Sequence, residues 1–171
     1  MEWTFVAIDG SAKRDNFDCG VTELNDYLKK YARQNHNKGI AKTFVALSAD
    51  ENREVIGYYS VSMDKIEFQS LPEGHRRGLP RYPVPAMLVG KLAVDRGMQG
   101  RGLGRELLMD CFRKAIRLSS EVGIFAVRVD AVNEQAKLFY LKYGFIPLEN
   151  GGLSLFIPIA TIGKALESLP T

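Results

Sequence analysis

The sequence predicts an α/β fold built on a mixed sheet, and three observations carry the prediction. Two apolar runs of strand length, Leu88–Val94 and Ile124–Asp130, each pass through a turn into a helical repeat. The third is the order along the whole chain: strand, helix, two strands, loop, then strand, helix, strand, helix, strand. Two strand-to-helix crossovers therefore fall in the second half.

The elements follow in order. Trp3 to Ile8 reads as a first strand, and Asp15 to Thr22 as a turn-rich link. Val21, Leu24, Tyr27, Leu28 and Tyr31 then recur at helical spacing, with Lys29, Lys30 and Arg33 off that stripe on the solvent side. Thr43 to Ala49 and Val55 to Met63 form a hairpin around the polar turn Asp50-Glu51-Asn52-Arg53. Leu71 to Pro85 holds four of the seven prolines and reads as a surface loop of the kind that is functional or mobile. The Leu88 strand leads to a helix from about Gly102 to Ser119, whose buried face is Leu103, Leu107, Leu108, Cys111, Phe112, Ala115 and Ile116. After the Ile124 strand, Glu134 to Lys142 is a short helix with Gly144 as its stop signal. A strand near Leu153 to Ile157 and a helical tail from Ile162 to Leu169 complete the chain.

Totals narrow the class. A chain of 171 residues, 46% hydrophobic and 25% charged, is a single ordinary globular domain. A domain of this size buries roughly two-thirds of its unfolded surface. No apolar stretch is long enough to span a bilayer, and the strand-like start with Glu2 is not a secretory leader. Cys19 and Cys111 are too few for a disulfide framework and are expected to be reduced, as in the cytoplasm. His36 and His75 stand apart, so no metal is expected.

The net charge of +3 is mild, but it is unevenly spread. Lys29 to Lys42 contains five cations and no carboxylate; His75 to Val94 contains Arg76, Arg77, Arg81 and Lys91, again with no carboxylate. On one face, such tracts would make a one-sided positive field; on different faces, they are two solvated stretches.

The chemistry concentrates in Leu88–Glu106. A strand ends in Val94 and the turn Gln99-Gly100-Arg101-Gly102-Leu103-Gly104 opens a helix. Glycines let the main chain approach a ligand, and a helix start offers N–H groups to an anion. A nucleotide-triphosphate loop would need Lys-Ser/Thr after the last glycine, where Arg105-Glu106 stands. The dinucleotide pattern needs G-x-G-x-x-G, and the spacing here is G-x-G-x-G. Gln-x-x-Gly-x-Gly after Leu-Ala-Val instead resembles the pyrophosphate loop of the GNAT acyltransferases. The run Asn133-x-x-Ala136…Phe139-Tyr140-x-x-x-Gly144-Phe145 resembles a second block of the same family.

That resemblance implies the GNAT (acyl-CoA N-acyltransferase) fold, a mixed, mostly antiparallel sheet with flanking helices, and acetyl-CoA as co-substrate. It implies that Leu92 and Val94 pair with the pantetheine arm, and that the amides of Gln99, Gly100, Arg101, Gly102, Leu103 and Gly104 hold the pyrophosphate. Asn133 is a further contact. Phe139 and Phe145 read as core aromatics. Tyr140 reads as the general acid, since a phenol of pKa about 10 can protonate a thiolate of parent pKa near 8.5. Many family members carry a glutamate base on the central strand. Here Leu88, Val89, Gly90 and Lys91 offer none, which points towards an α-amine of pKa near 8 rather than a lysine of about 10.4.

An ordered set of pieces narrows the resemblance: Phe17-x-Cys19-Gly20-x-x-x-Leu24-x-x-Tyr27-Leu28, Thr43-Phe44-Val45, Gly57-Tyr58-Tyr59, Leu79-Pro80-Arg81 and Gly90-Lys91-Leu92-Ala93-Val94-Asp95. Together they resemble the acetyltransferase toxins of bacterial type II toxin–antitoxin pairs. Those enzymes acetylate the α-amino group of aminoacyl-tRNA and stop translation. By resemblance the chain is a homodimer, with Lys29, Lys30, Arg33, Arg76 and Arg77 on the tRNA. A ribbon–helix–helix antitoxin would neutralise it and carry it to operator DNA. Two other readings stay open on the sequence: a metabolic or protein N-acetyltransferase acting on a small amine or peptide, and a non-catalytic acyl-CoA-binding module.

Overall fold

The computed structural model describes residues 3–167. Its strands form one seven-stranded sheet in the order β1-β2-β3-β4-β5-β7-β6. These are β1 Trp3–Ala7, β2 Lys42–Ser48, β3 Val55–Ile66, β4 Val84–Val94, β5 Ala126–Asp130, β6 Ile146–Pro147 and β7 Ser154–Pro158. The β1–β2, β2–β3, β5–β7 and β6–β7 pairs are antiparallel. β4 and β5 run parallel, Ala86 opposite Ala126 through Val89 opposite Val129. The helices are α1 Thr22–Asp26, α2 Ala32–Lys38, α3 Leu103–Ser119, α4 Glu134–Lys142 and α5 Ile159–Glu167. The crossovers are β4–α3–β5 and β5–α4–β6, the second skipping over β7. Among the described residues no helix is long and apolar enough to cross a membrane.

The chain packs as two compact units, residues 3–62 with 90–111, and residues 63–89 with 112–167. In the first, Tyr58 is fully buried, its hydroxyl donates to the Leu24 carbonyl at 2.7 Å, and its ring meets Phe17 edge-on and Tyr27 in a stack. α3 sits so close to β3 that a Cβ on Gly57 would lie 3.0 Å from Leu107 and 3.1 Å from Leu103. That close approach, and no turn, is why glycine stands beside Tyr58 and Tyr59. The second unit is organised around Ile66, Leu71, Val84, Ala86, Ala126, Leu148 and Phe156.

Three expectations are corrected and one strand is added. The helical stripe does not include Tyr31. A π-helical turn, Tyr27–Tyr31, with the Ala32 N–H bonded to the Tyr27 carbonyl, carries the stripe to fully buried Ala32 and leaves Tyr31 53% exposed. β4 starts at Val84, inside the expected loop. Its Pro85 has no N–H to offer the sheet, but its carbonyl accepts from Phe125, so proline is tolerated there. β6 is too short to show a period-2 pattern and was not anticipated. The last helix begins at Ile159, not Ile162, and Ser168 and Leu169 lie outside the described residues.

His36, near the end of α2, accepts the Thr43 N–H on Nδ1 at 3.0 Å, which requires that nitrogen unprotonated. Partial burial, and then Lys42, hold its pKa below the usual imidazole value. The folded state therefore favours the neutral ring. Its contribution is complete above the unfolded value of about 6.5 and is lost as pH falls through the lower folded value. Urea titrations of wild type and His36→Asn, which keeps an acceptor for Thr43, should run parallel above pH 7. Below pH 6.5 the wild type should lose stability faster; parallel curves throughout would remove His36 from the pH response.

Candidate active site

β4 ends at Val94, and Asp95 caps the 3₁₀ turn Arg96–Met98 by accepting the Gly97 N–H at 2.9 Å. Gly100 (φ +80°) and Gly102 (φ +87°) then adopt left-handed backbone before α3 begins at Leu103. No atom lies within 4 Å of a Cβ built on either glycine, so conformation rather than space demands glycine there, and the loop's outer side is open. The first ladder bond of α3, Glu106 N–H to the Gly102 carbonyl at 3.1 Å, leaves the preceding N–H groups without helical acceptors. Leu103 is 1% exposed, and its side chain anchors the start of α3 in the core. A cavity of about 390 Å³, lined by Trp3, Arg101, Gly102, Arg105 and Glu106, adjoins the loop. Arg105 pairs with Glu106 at 2.7 Å, and Arg101 lines the same cavity.

Gln99 uses its side chain in a way that sequence reasoning missed. Its amide Nε2 donates to the Val94 carbonyl at 2.9 Å and to the Cys19 carbonyl at 3.2 Å. The Val94 carbonyl is thus already engaged on one lone pair. Leu92 and Val94, both half-buried, lie in the part of β4 beyond its Ala86–Val89 pairing with β5.

In the second unit α4 carries the other candidates. Asn133 is its N-cap: Oδ1 accepts the Ala136 N–H at 2.8 Å, leaving Nδ2 as the group it can still offer. Tyr140 is 6% exposed, edge-on to Phe139 at 5.3 Å and Phe145 at 5.2 Å. Its carbonyl accepts from Tyr143 and Phe145, which closes the helix and fixes the ring's mounting. Phe145 is a core aromatic against Phe112, and Phe139 is half-buried against Tyr143.

A glycine-rich turn that opens a helix suits a phosphate-bearing ligand, and comparison with known proteins decides the family. Residues 39–147 match the acetyltransferase (GNAT) domain model. The chain belongs to the GNAT acetyltransferases. Its relatives are specific: it is 35% identical over 130 residues, 76% of each chain, to a "tRNA-acetylating toxin" of Mycobacterium tuberculosis. It resembles the crystal structure of a tyrosine-to-phenylalanine variant of KacT at TM-score 0.92, 33% identity, covering 96% of this chain and 99% of that one. It resembles AtaT complexed with acetyl-methionyl-tRNAfMet at TM-score 0.89, 30% identity, with the same coverage. Related solved structures hold AtaTR with acetyl-CoA, AtaT with the C-terminus of its antitoxin AtaR, and the AtaT–AtaR complex with DNA.

For a GNAT enzyme the acceptor side must come from elsewhere than the glycine loop, and the basic residues are unequal candidates. Lys29 is exposed. Lys30 lies 3.7 Å from Asp26, both largely exposed, so this tract is acid-free in sequence but not in space. The Arg33 guanidinium covers Gly10 while its residue stays exposed. Lys91 stands over the Tyr27 ring at 5.2 Å. Arg76 is committed to its own loop: it donates to the Leu71 and Gln69 carbonyls at 2.8 and 3.0 Å and covers Phe68. Arg77, next to it, is exposed. The loop itself is more ordered than expected, with 3₁₀ turns at Phe68–Ser70 and Glu73–His75 and a fully buried Leu71.

Left-handed φ at a residue with a Cβ costs about 1–2 kcal/mol. Gly102→Val should therefore weaken acetyl-CoA binding by about tenfold in calorimetry, because the strained loop re-aims its amides. Unchanged affinity would show that the cradle does not depend on that conformation.

Proposed function

We propose that this chain is an acetyl-CoA-dependent N-acetyltransferase that acetylates the α-amino group of aminoacyl-tRNA and so blocks translation, as the toxin of a type II toxin–antitoxin pair. The observation carrying this reading is likeness along nearly the whole chain to AtaT in complex with acetyl-methionyl-tRNAfMet. It is supported by the identity to the mycobacterial toxin and by the absence of a carboxylate from Leu88 to Val94.

Acetyl-CoA supplies the acetyl group as a thioester. The amides of residues 99–104 hold its pyrophosphate, with the α3 dipole behind them, and backbone groups of Leu92 and Val94 guide the pantetheine arm. Asn133 contributes through Nδ2. The acceptor nitrogen forms a bond to the thioester carbonyl carbon, the C–S bond breaks, and Tyr140 gives its proton to the departing sulfur, while the proton lost by the acylated nitrogen passes to solvent and solvent restores the phenol. No side chain is assigned as base, because an aminoacyl ester amine is substantially neutral near pH 8. Lys29, Lys30, Arg33 and Arg77 face tRNA phosphates, and Arg76 braces the loop that presents Arg77. The proposal extends to a homodimer acting in the cytoplasm as one globular domain. A ribbon–helix–helix antitoxin covers it and provides its only route to operator DNA.

Tyr140→Phe tests the central role. Turnover on charged tRNA should fall about a hundredfold or more while acetyl-CoA affinity changes little. A variant with full turnover would remove Tyr140 as the acid. Wild-type activity on small amines but not on charged tRNA would favour the metabolic enzyme.

A further inference from the structure

The turn between β4 and α3 is joined to a second turn far away in sequence. The Asp18 N–H donates to Asp95 Oδ1 at 3.0 Å, the Arg96 N–H donates to the Asp18 carbonyl at 2.8 Å, and Gln99 Nε2 reaches the Cys19 carbonyl at 3.2 Å. Arg96 adds an ion pair to Asp18 at 3.6 Å, with its guanidinium against Gly20. Each side is tied internally as well. Asp18 Oδ1 accepts from the Gly20 N–H and from Asn25 Nδ2, and Asn25 Oδ1 accepts the Cys19 N–H. Asn25 lies in α1. These bonds hold the Asp18 carboxylate below the usual carboxylate range, Asn25 contributing most and Gly20 next. On the other side Gln99 Nε2 also holds the Val94 carbonyl, and the Met98 N–H holds the Asp95 carbonyl.

We infer that Gln99 is a positioning residue. Its side-chain amide fastens the start of the glycine loop to the Asp18–Gly20 turn that precedes α1, the π turn with Lys29 and Lys30, and α2 with Arg33. The geometry points away from a ligand role for that side chain, since both N–H bonds of Nε2 are already directed at carbonyls on either side of the joint. Val94, the last residue of β4, Gln99 at the loop's entrance and Cys19 before α1 are tied by one amide group. Disturbance on either side is thereby transmitted to the other, and by linkage the effect is reciprocal. The inference rests on the reading that residues 99–104 hold acetyl-CoA, but the joint can be tested without any ligand.

Gln99→Glu keeps the shape and replaces the donor with a carboxylate facing two carbonyl oxygens; Gln99→Ala removes the donor without adding charge and covers the case where the first variant folds poorly. Hydrogen exchange on the free protein should show faster exchange by about fivefold or more in residues 17–25 as well as in 94–104. Unchanged exchange in 17–25 for both variants would overturn the joint. In acetyl transfer, KM for acetyl-CoA should rise by about tenfold with kcat within about twofold, as expected of a group that touches no reacting atom. A fall in kcat at constant KM would overturn the positioning role. If the wild type does not bind acetyl-CoA, the coenzyme reading fails, and the exchange comparison alone decides the joint.

Discussion

Backbone N–H groups bind an anion only if the main chain holds them convergent before the ligand arrives. If residues 99–104 hold an anion as proposed, that requirement accounts for the surroundings of residues 94–104. The two left-handed glycines turn the chain outward, buried Leu103 fixes the first turn of α3 to the core, and Gly57 lets α3 lie flat against β3. The joint to Asp18 supplies what the loop cannot supply itself, since the main chain at Gly100 and Gly102 is the least restrained of any residue type. A preorganised donor set costs nothing further at the moment of binding, which is the general advantage of such sites.

The second constraint concerns the proton. Tyr140 is mounted between Phe139 and Phe145 on a short helix that is capped at one end by Asn133 and closed at the other by hydrogen bonds to the Tyr140 carbonyl itself. A mounting of this kind restrains the ring, which suits the role of proton donor proposed for Tyr140. The basic side chains differ in kind. Arg76 is used up folding its loop and Lys30 is paired to Asp26, whereas Lys29 and Arg77 stand exposed.

What could be read from the sequence follows from which signals are local. The β4–loop–α3 and β5–α4 segments were legible, because a strand, a turn and a helix leave their periods in one short window. α4 came out with the expected bounds Glu134–Lys142 and α3 one residue short of those expected. Strand ends near proline were not legible, since Pro85 reads as loop unless its carbonyl's partner, Phe125, is known. The π turn that exposes Tyr31 is equally invisible to a 3.6-residue template. At the candidate site, the loop glycines and Tyr140 stood out through motifs that resemble the family's. The Gln99 side chain did not, because its two acceptors are main-chain carbonyls, and carbonyls leave no mark in a sequence.

The most direct measurement is the position of the acetyl group. Charged and deacylated tRNA would each be incubated with the protein and labelled acetyl-CoA, then treated with mild alkali to release the amino acid for mass spectrometry. The account predicts N-acetyl amino acid from the charged tRNA and no label on the deacylated tRNA. Label on the nucleotides, or label on neither tRNA alongside efficient acetylation of free amines or peptides, would contradict it.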